Sequence, residues 1–385
     1  MRYTLEGLPN HEKIMAEIDT CKMYNIDHRG NRGKIESTIE KIHPKRIEYL
    51  VDEIRQEGRT AKTIRLVPKN GYVPPFVPGQ YISIEAELGG IKTARAYSLS
   101  SGAAQRAYYE ITVRRTRDGF VSDYLLDELK PGDTVFSSGP AGNFVQFPAV
   151  HGKNLVFIAG GSGITPFMSM LRTDEQKLVR DKNVHLIYGC SREDDILFLE
   201  ELKRLEKKGI LQLHIIISEP EENCSYQKGM ITEDAIRDIV GEDLEQYTFF
   251  LCGPSAMYDF VVPNLRNLGV PRRCIRQEVQ TMPRNPESLA GWPEGIGSQN
   301  VFTVKTTDGR SFEAKATEMV LQAMERNGIV VPTLCRSGEC SACRTKLVDG
   351  TVFHPGSELL RKSDMKFGYM HPCVTYPISN LVIRL

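Results

Sequence analysis

Cys335, Cys340, Cys343 and Cys373 constrain this 385-residue chain more than any other feature. Three of them sit in one segment, Cys335-x4-Cys340-x2-Cys343, and the fourth follows after twenty-nine further residues. That is the spacing by which thiolates from one tight loop and one distant strand hold a 2Fe-2S cluster. The loop reads Cys335-Arg-Ser-Gly-Glu-Cys340-Ser-Ala-Cys343, and its small residues let backbone amides approach the sulfides and offset the cluster's negative charge. The alternative is structural zinc, which prefers paired Cys-x2-Cys knuckles, whereas only one such pair occurs.

The remaining cysteines, Cys21, Cys190, Cys224, Cys252 and Cys274, are scattered. Glu6, Glu12 and Lys13 stand where a signal peptide needs an apolar run, and no apolar stretch approaches the roughly 18 residues of a membrane span. The expectation is a cytoplasmic protein with reduced thiols, which favours metal ligation over disulfides. With 49 basic and 49 acidic residues, bulk charge offers no attraction to nucleic acid or anionic membrane, so partners must be read from local sites.

Hydrophobic periodicity divides the chain. Residues 1–42 are evenly charged, with a helix expected over Glu12–Tyr24 and a Gly-rich turn at Arg29–Gly33, and no chemistry is read there. From Ile47 short strands alternate with turns at Thr63–Val67, Gln80–Ala86, Tyr108–Arg114 and Thr134–Ser137, which predicts an antiparallel β-barrel. After Asn154 buried strands alternate with amphipathic helices: Leu155–Ala159, Val184–Tyr188, Leu213–Ile217 and Thr248–Cys252, with helices over Pro166–Leu171, Ile196–Lys207, Thr232–Ile239 and Ser255–Leu268. Such alternation predicts an α/β unit with a parallel sheet. Residues 281–298 have the Pro/Gly composition of a linker, and a strand, turn, strand and helix then precede the cysteine loop. The expected division is 1–42 extension, 43–149 barrel, 150–280 α/β unit, 281–298 linker and 299–385 cluster unit.

Residues 300–385 resemble a plant-type ferredoxin, whose β-grasp (α+β) fold has the same element order. Five Lys and six Arg against eight acidic residues depart from the strong acidity of free ferredoxins, as suits a domain that its linker already holds near an internal donor.

Arg95-Ala96-Tyr97-Ser98 resembles the Arg-x-Tyr-Ser motif of the ferredoxin reductase flavoprotein superfamily. The resemblance implies that Arg95 pairs with a flavin phosphate, Tyr97 packs on the isoalloxazine and Ser98 hydrogen-bonds near N5, roles that suit a bidentate guanidinium, an aromatic and a hydroxyl. Gly119-Phe120-Val121-Ser122 precedes a helical spacing at Asp123–Leu129, so that Ser122 is read as an N-cap whose turn offers amides to a pyrophosphate. Gly139-Pro-Ala-Gly142-Asn-Phe144 matches a further family segment, and together these favour FAD. An FMN-using branch resembling phthalate dioxygenase reductase is the alternative.

Gly160-Gly161-Ser162-Gly163-Ile164-Thr165-Pro166 lies between a strand and a helix, where glycines allow close approach of a pyrophosphate. It resembles the superfamily's Gly-Gly-x-Gly-x-Thr-Pro turn, with Thr165 read as the cap and Pro166 in the first helical turn. Cys252-Gly253-Pro254 matches the Cys-Gly-Pro motif, which implies that Cys252 lies beside the nicotinamide and positions it. Ser191 and Arg192 fall where the adenosine end is expected, and leave NADH and NADPH equally open.

The resemblance over residues 45–385 implies an NAD(P)H-dependent oxidoreductase: hydride transfer from the nicotinamide to FAD, then single electrons through the 2Fe-2S cluster to a separate metalloenzyme such as an oxygenase or hybrid-cluster protein. A redox-sensing regulatory protein with the same cofactors, acting through residues 1–42, is the alternative.

Overall fold

The structure, a computed structural model, describes residues 10–23, 33–42, 44–71, 73–117, 119–177, 181–278, 285–355 and 360–385. It divides into two compact units, Met1–Lys45 and Arg46–Leu385. The first contains helices α1 (His11–Met23) and α2 (Lys34–Ile42). α1 matches the expected helix, although Tyr24 and residues 29–32 of the expected turn lie outside the described residues. α2 has no counterpart in the sequence reading, although Ile35, Ile39 and Ile42 follow the helical repeat.

The second unit opens with six antiparallel strands: β1 (Ile47–Glu57), β2 (Ala61–Pro68), β3 (Tyr81–Leu88), β4 (Ile91–Ser98), β5 (Tyr109–Arg114) and β6 (Thr134–Ser137). Their order is β4-β3-β6-β1-β2-β5. A bridge from Leu99 to Ile111 brings the two end strands together and closes the barrel. Ile64, Leu66, Ile82 and Ile84 are almost wholly buried within it, each contributing about 1.5–3 kcal/mol of hydrophobic stabilisation. Helix α3 (Val121–Asp123) continues as a π-turn over Tyr124–Glu128 and packs Val121, Leu125 and Leu126 onto this core.

After a short α4 (Pro148–His151), the chain builds a parallel sheet of β7 (Asn154–Gly160), β8 (Asn183–Cys190), β9 (Gln212–Ile217), β10 (Gln227–Lys228), β11 (Thr248–Cys252) and β12 (Ile275–Gln277). Helices α5 (Thr165–Glu175), α6 (Leu199–Lys207), α7 (Glu233–Val240) and α8 (Ser255–Asn267) alternate with its strands. The order β10-β9-β8-β7-β11-β12 shows the chain stepping outward from β7 and then returning to its other side. The switch point therefore lies between β7 and β11, and the carboxyl ends of those strands open the crevice where α/β sheets take ligands.

The third sheet joins β13 (Val301–Thr306), β14 (Ser311–Lys315), β15 (Thr345–Asp349), β17 (Tyr369–Met370) and β19 (Leu381–Arg384) in the order β14-β13-β19-β15-β17. Strands β16 (Val352–Phe353) and β18 (Tyr376–Pro377) form a separate ribbon. Helix α9 (Val320–Arg326) buries Val320, Ala323 and Met324 against the sheet, and α10 (Lys362–Lys366) precedes β17. The helix expected from Thr317 begins at Val320, because Thr317 and Glu318 belong to the turn leaving β14.

Residues 281–284 of the expected linker lie outside the described residues. The rest is not a free tether. Trp292 packs edge-on against Phe353 and Tyr376, with ring centroids 5.0 and 5.9 Å away, and its indole N–H donates to the Ile296 carbonyl at 2.7 Å. Among the described residues, no helix is long and apolar enough to cross a membrane.

Candidate active site

The four thiols converge. Cys343 Sγ lies 3.3 Å from Cys373 Sγ, far beyond the roughly 2.05 Å of a disulfide. The Ser337 and Cys340 amides both point at Cys335 Sγ at 3.4 Å, and the Ala342 amide points at Cys340 Sγ at 3.4 Å. This requires the backbone to turn inward at Arg336 (φ +56°), Gly338 (φ +85°) and Ser341 (φ +57°). For Arg336 and Ser341 that left-handed conformation costs on the order of 1 kcal/mol each, so strain is held in the loop to aim its amides at sulfur. His371, fully buried, holds the loop from behind: Nδ1 is 2.8 Å from the Gly338 carbonyl and Nε2 is 3.2 Å from Asp364 Oδ2. Among the described residues, no group of three or more His, Cys, Asp or Glu side chains closes on a single ion. Backbone amides aimed at converging thiols fit a two-iron cluster, whose negative charge such hydrogen bonds offset.

The flavin motif runs along β4, where alternate residues share a face, so Thr93, Arg95 and Tyr97 point the same way. Thr93 Oγ1 accepts from Arg95 Nη1 at 2.6 Å and from Arg336 Nη2 at 2.8 Å, and donates to Glu325 Oε2 at 3.1 Å. Arg336 also pairs with Glu325. Burial, and then the neighbouring Arg336, pull the Arg95 guanidinium down to about 10. Burial pushes the Tyr97 phenol well up, so it stays protonated. Ala96 stands between Arg95 and Tyr97 in the register, opposite Ser83, and Ser98 pairs with Tyr81 of β3. The Tyr81 phenol is raised by burial, then by Cys335, Cys340, Glu339 and Glu278; the Arg336–Thr93 bond sets the cluster loop beside the strand pair that carries the motif.

Gly119, Val121 and Ser122 lie beyond the end of β5. Ser122 is not an N-cap: the helical segment begins at Val121 after Phe120, and the Ser122 hydroxyl lies 3.0 Å from Thr116 Oγ1. The cap reading fails because helical geometry starts two residues early and then widens into a π-turn. A Cβ at Gly119 would strike that same hydroxyl, so glycine is needed for this close turn.

At the switch point the two glycine motifs meet. A Cβ on Gly163 would fall inside the Cys252 carbonyl, and one on Gly253 would come within 3.1 Å of the Gly160 Cα. The carboxyl ends of β7 and β11 thus form a shallow cradle, which the Pro254 ring and Met257 sulfur border at Gly160. Thr165 does not cap. A 3-10 turn over Gly161–Ile164 starts the helix early, placing Thr165 and Pro166 within its first turn, with Thr165 Oγ1 donating to the Ser162 carbonyl at 2.8 Å. Arg114, from the end of β5, packs on Gly161 and lies 3.4 Å from Asp195. Ser191 and Arg192 follow β8; the Ser191 carbonyl accepts from the Glu219 amide at 2.9 Å, and Arg192 Nε is 3.9 Å from the Glu219 carboxylate.

One residue unites flavin and nucleotide motifs. Glu278, just past β12, accepts from the Cys252 thiol at 3.0 Å through one oxygen and from the Ser98 hydroxyl at 3.5 Å through the other. Tyr258 donates to the Glu278 carbonyl at 2.5 Å and accepts from the Gly253 amide at 3.1 Å, locking that strand end. Burial and then Glu278 push the Cys252 thiol well above its ordinary value. A nucleophilic cysteine needs the reverse shift, so the chemistry here suits a neutral thiol that positions. Glu339, in the cluster loop, keeps solvent contact, yet burial of its carboxyl, Cys335 and Glu278 push it up to about 6. Thus the structure gathers Ser98, Cys252, Gly160, Gly163 and Gly253 around one crevice, and Arg95 beside the cluster loop. Ser191 and Arg192 lie one strand further out. Sequence reading missed Glu278, Arg114, Thr93, Glu325 and Arg336: a lone charged residue carries no motif, and Glu278 is 180 residues from its Ser98 partner.

Three family models match: the oxidoreductase FAD-binding domain over residues 53–146, the oxidoreductase NAD-binding domain over 157–262 and the 2Fe-2S iron-sulfur cluster binding domain over 303–377. The chain is 29% identical over 336 residues to NADH oxidoreductase HCR of Escherichia coli (strain K12), covering 86% of this chain and 96% of that protein. It is 28% identical over 357 residues to the ferredoxin reductase component of 3-ketosteroid-9-alpha-monooxygenase of Rhodococcus rhodochrous, covering 89% and 98%. Its fold matches the solved structure of phthalate dioxygenase reductase with a TM-score of 0.66 and 24% identity, over 88% of this chain and 98% of that one.

Proposed function

The chain belongs to the ferredoxin reductase flavoproteins that carry a 2Fe-2S ferredoxin domain, and from that premise we propose that it draws electrons from NADH and delivers them singly to a separate metalloenzyme. An oxygenase is the class of acceptor named for the 3-ketosteroid relative, and a hybrid-cluster protein is the other acceptor its resemblance implies. When bound, the flavin takes a pair of electrons from the nicotinamide and the cluster carries them onward one at a time.

The observation that carries this reading is the convergence on one side of the barrel: Glu278 touches both Ser98 and Cys252, while Arg336 of the cluster loop bonds Thr93 on the strand that carries Ser98. Arg95, Ala96, Tyr97 and Ser98 hold the flavin, with Gly119, Val121 and Ser122 beyond β5 contributing to the FAD end. Gly160, Gly161, Gly163, Thr165, Pro166, Gly253 and Pro254 accept the nucleotide, with Arg114 placed over the glycine turn to neutralise a pyrophosphate. Cys252 and Glu278 orient the nicotinamide toward the flavin, and their contact excludes water from the meeting point. Cys335, Cys340, Cys343 and Cys373 ligate the cluster.

Glu219 favours NADH over NADPH. Its amide bonds the Ser191 carbonyl and its carboxylate lies 3.9 Å from Arg192, where it suits a ribose 2'-hydroxyl, repels a 2'-phosphate and engages the Arg192 guanidinium. Anaerobic mixing with NADH should bleach the flavin absorbance first and the cluster absorbance second. Purified protein that carries neither flavin nor iron, or whose visible spectrum NADH leaves unchanged, would refute the assignment.

A further inference from the structure

The ferredoxin domain meets the barrel at a buried knot of charge. Arg95 and Arg336 both donate to the Thr93 hydroxyl, and Glu325 of α9 is the carboxylate that contacts this hydroxyl and Arg336. The Arg336 and Glu325 side chains are only 13% and 7% exposed. Two guanidiniums share this one carboxylate beside the cluster loop, and a guanidinium donor left over out of bulk water is costly unless an acceptor completes it. Arg336 Nε is buried with no hydrogen-bond partner, so one donor of its fork is unused. Arg95 meanwhile spends Nη1 on its own strand, bonding Thr93 and the Ala94 carbonyl.

We propose that Arg336 is a second ligand for the flavin nucleotide's phosphate, supplied by the ferredoxin domain alongside Arg95, so that flavin loading and docking of the ferredoxin domain are linked. The inference rests on the reading of Arg95 as the phosphate arginine. Its physical consequence is reciprocal: an anion bridging Arg95 and Arg336 ties β4 to the loop after Cys335, and the docked loop tightens the anion's hold by the same factor. Glu325 and Thr93 hold the two arginines in place as positioning residues. The arrangement ensures that the cluster sits against the barrel when a flavin is present to supply it.

The test uses the full chain with its cluster intact and its flavin removed, titrated with FAD or with riboflavin, which lacks phosphate. In the wild type, FAD should slow hydrogen exchange in residues 320–326 and 91–98, whereas riboflavin should leave residues 320–326 unchanged. Arg336→Gln should weaken FAD binding about tenfold or more, leave riboflavin binding unchanged and abolish the FAD-dependent protection of residues 320–326. Arg336→Lys should recover part of the affinity. The cluster's visible spectrum verifies that the substitution beside Cys335 has not dismantled the loop, and the wild-type exchange arm decides the matter if it has. Equal protection of residues 320–326 by FAD and riboflavin, or wild-type FAD affinity in a cluster-loaded Arg336→Gln protein, overturns the proposal. Arg95→Gln separates the two readings: if it binds FAD normally, the phosphate role of Arg95 fails as well; if it alone weakens FAD, only the role of Arg336 fails.

Discussion

The Cys252 thiol lies 3.0 Å from a carboxylate oxygen of Glu278, and that contact ties the end of the nucleotide sheet to the flavin strand, because the other oxygen of Glu278 reaches Ser98. A neutral thiol and the carboxylate of Glu278, whose backbone carbonyl Tyr258 anchors, stand together in the crevice proposed to take the nicotinamide ring. Glu278→Gln keeps the shape but weakens the acceptor that both partners use. We expect flavin reduction by NADH to slow roughly tenfold to a hundredfold in single-turnover mixing, with NADH affinity changed far less. Reduction at the wild-type rate would remove Glu278 from the reacting geometry.

Coenzyme choice depends on the next strand outward. Glu219→Ser removes the carboxylate that, in the proposed placement, would face a 2'-phosphate, and releases Arg192 to bind one. The ratio of kcat/KM for NADPH to that for NADH should rise by about tenfold or more. An unchanged ratio would show that the adenosine end lies elsewhere.

Much of this was legible in the sequence for a physical reason: chemistry confined to one short segment leaves a local pattern. The cysteine loop, Arg95–Ser98, Gly160–Pro166 and Cys252–Pro254 each lie within one turn or strand, and β11 runs over Thr248–Cys252 as expected. Caps were less legible, because Ser122 and Thr165 have the right side chains but the backbone turns helical before reaching them. Glu278 and Arg336 were invisible, since their meaning comes from contacts across domains. The linker composition was misleading in part: its glycines suggest freedom, yet Trp292 anchors it on Phe353 and Tyr376.

The joint between barrel and nucleotide sheet rests on Glu110, buried in β5, which bonds Arg55 at 2.8 Å, Arg65 at 3.0 Å and Arg172 of α5 at 3.1 Å. Burial opposes ionisation of Glu110, but Arg172, Arg55 and Arg65 outweigh it and hold its carboxyl below the ordinary range. A depressed folded-state value means that this stabilisation is complete above the unfolded glutamate value, near pH 4.3, and is lost as pH falls through the lower folded value. Thermal unfolding should therefore show Tm falling below about pH 4. Glu110→Gln should lower stability by roughly 1–3 kcal/mol at neutral pH and blunt that acid dependence, because Arg55, Arg65 and Arg172 lose their shared buried carboxylate and keep Glu53 and Glu201. A Tm and acid profile equal to the wild type would show that the network is incidental.

Electron exit is separable from electron entry. Cys343 is buried against Cys373 on the cluster side of the junction, whereas Cys252 and Glu278 stand on the nucleotide side. Replacing Cys343 with Ser removes a soft thiolate that iron–sulfur ligation requires, and leaves the crevice between β7 and β11 untouched. The variant should lose the visible absorbance of the cluster and its delivery of electrons to a protein acceptor, while NADH still reduces the flavin within about threefold of the wild-type rate, since single-step positioning is preserved. A folded, FAD-loaded variant whose flavin no longer reduces would place the cluster before the flavin in the sequence of transfer, and would reverse the direction of flow assigned to the molecule.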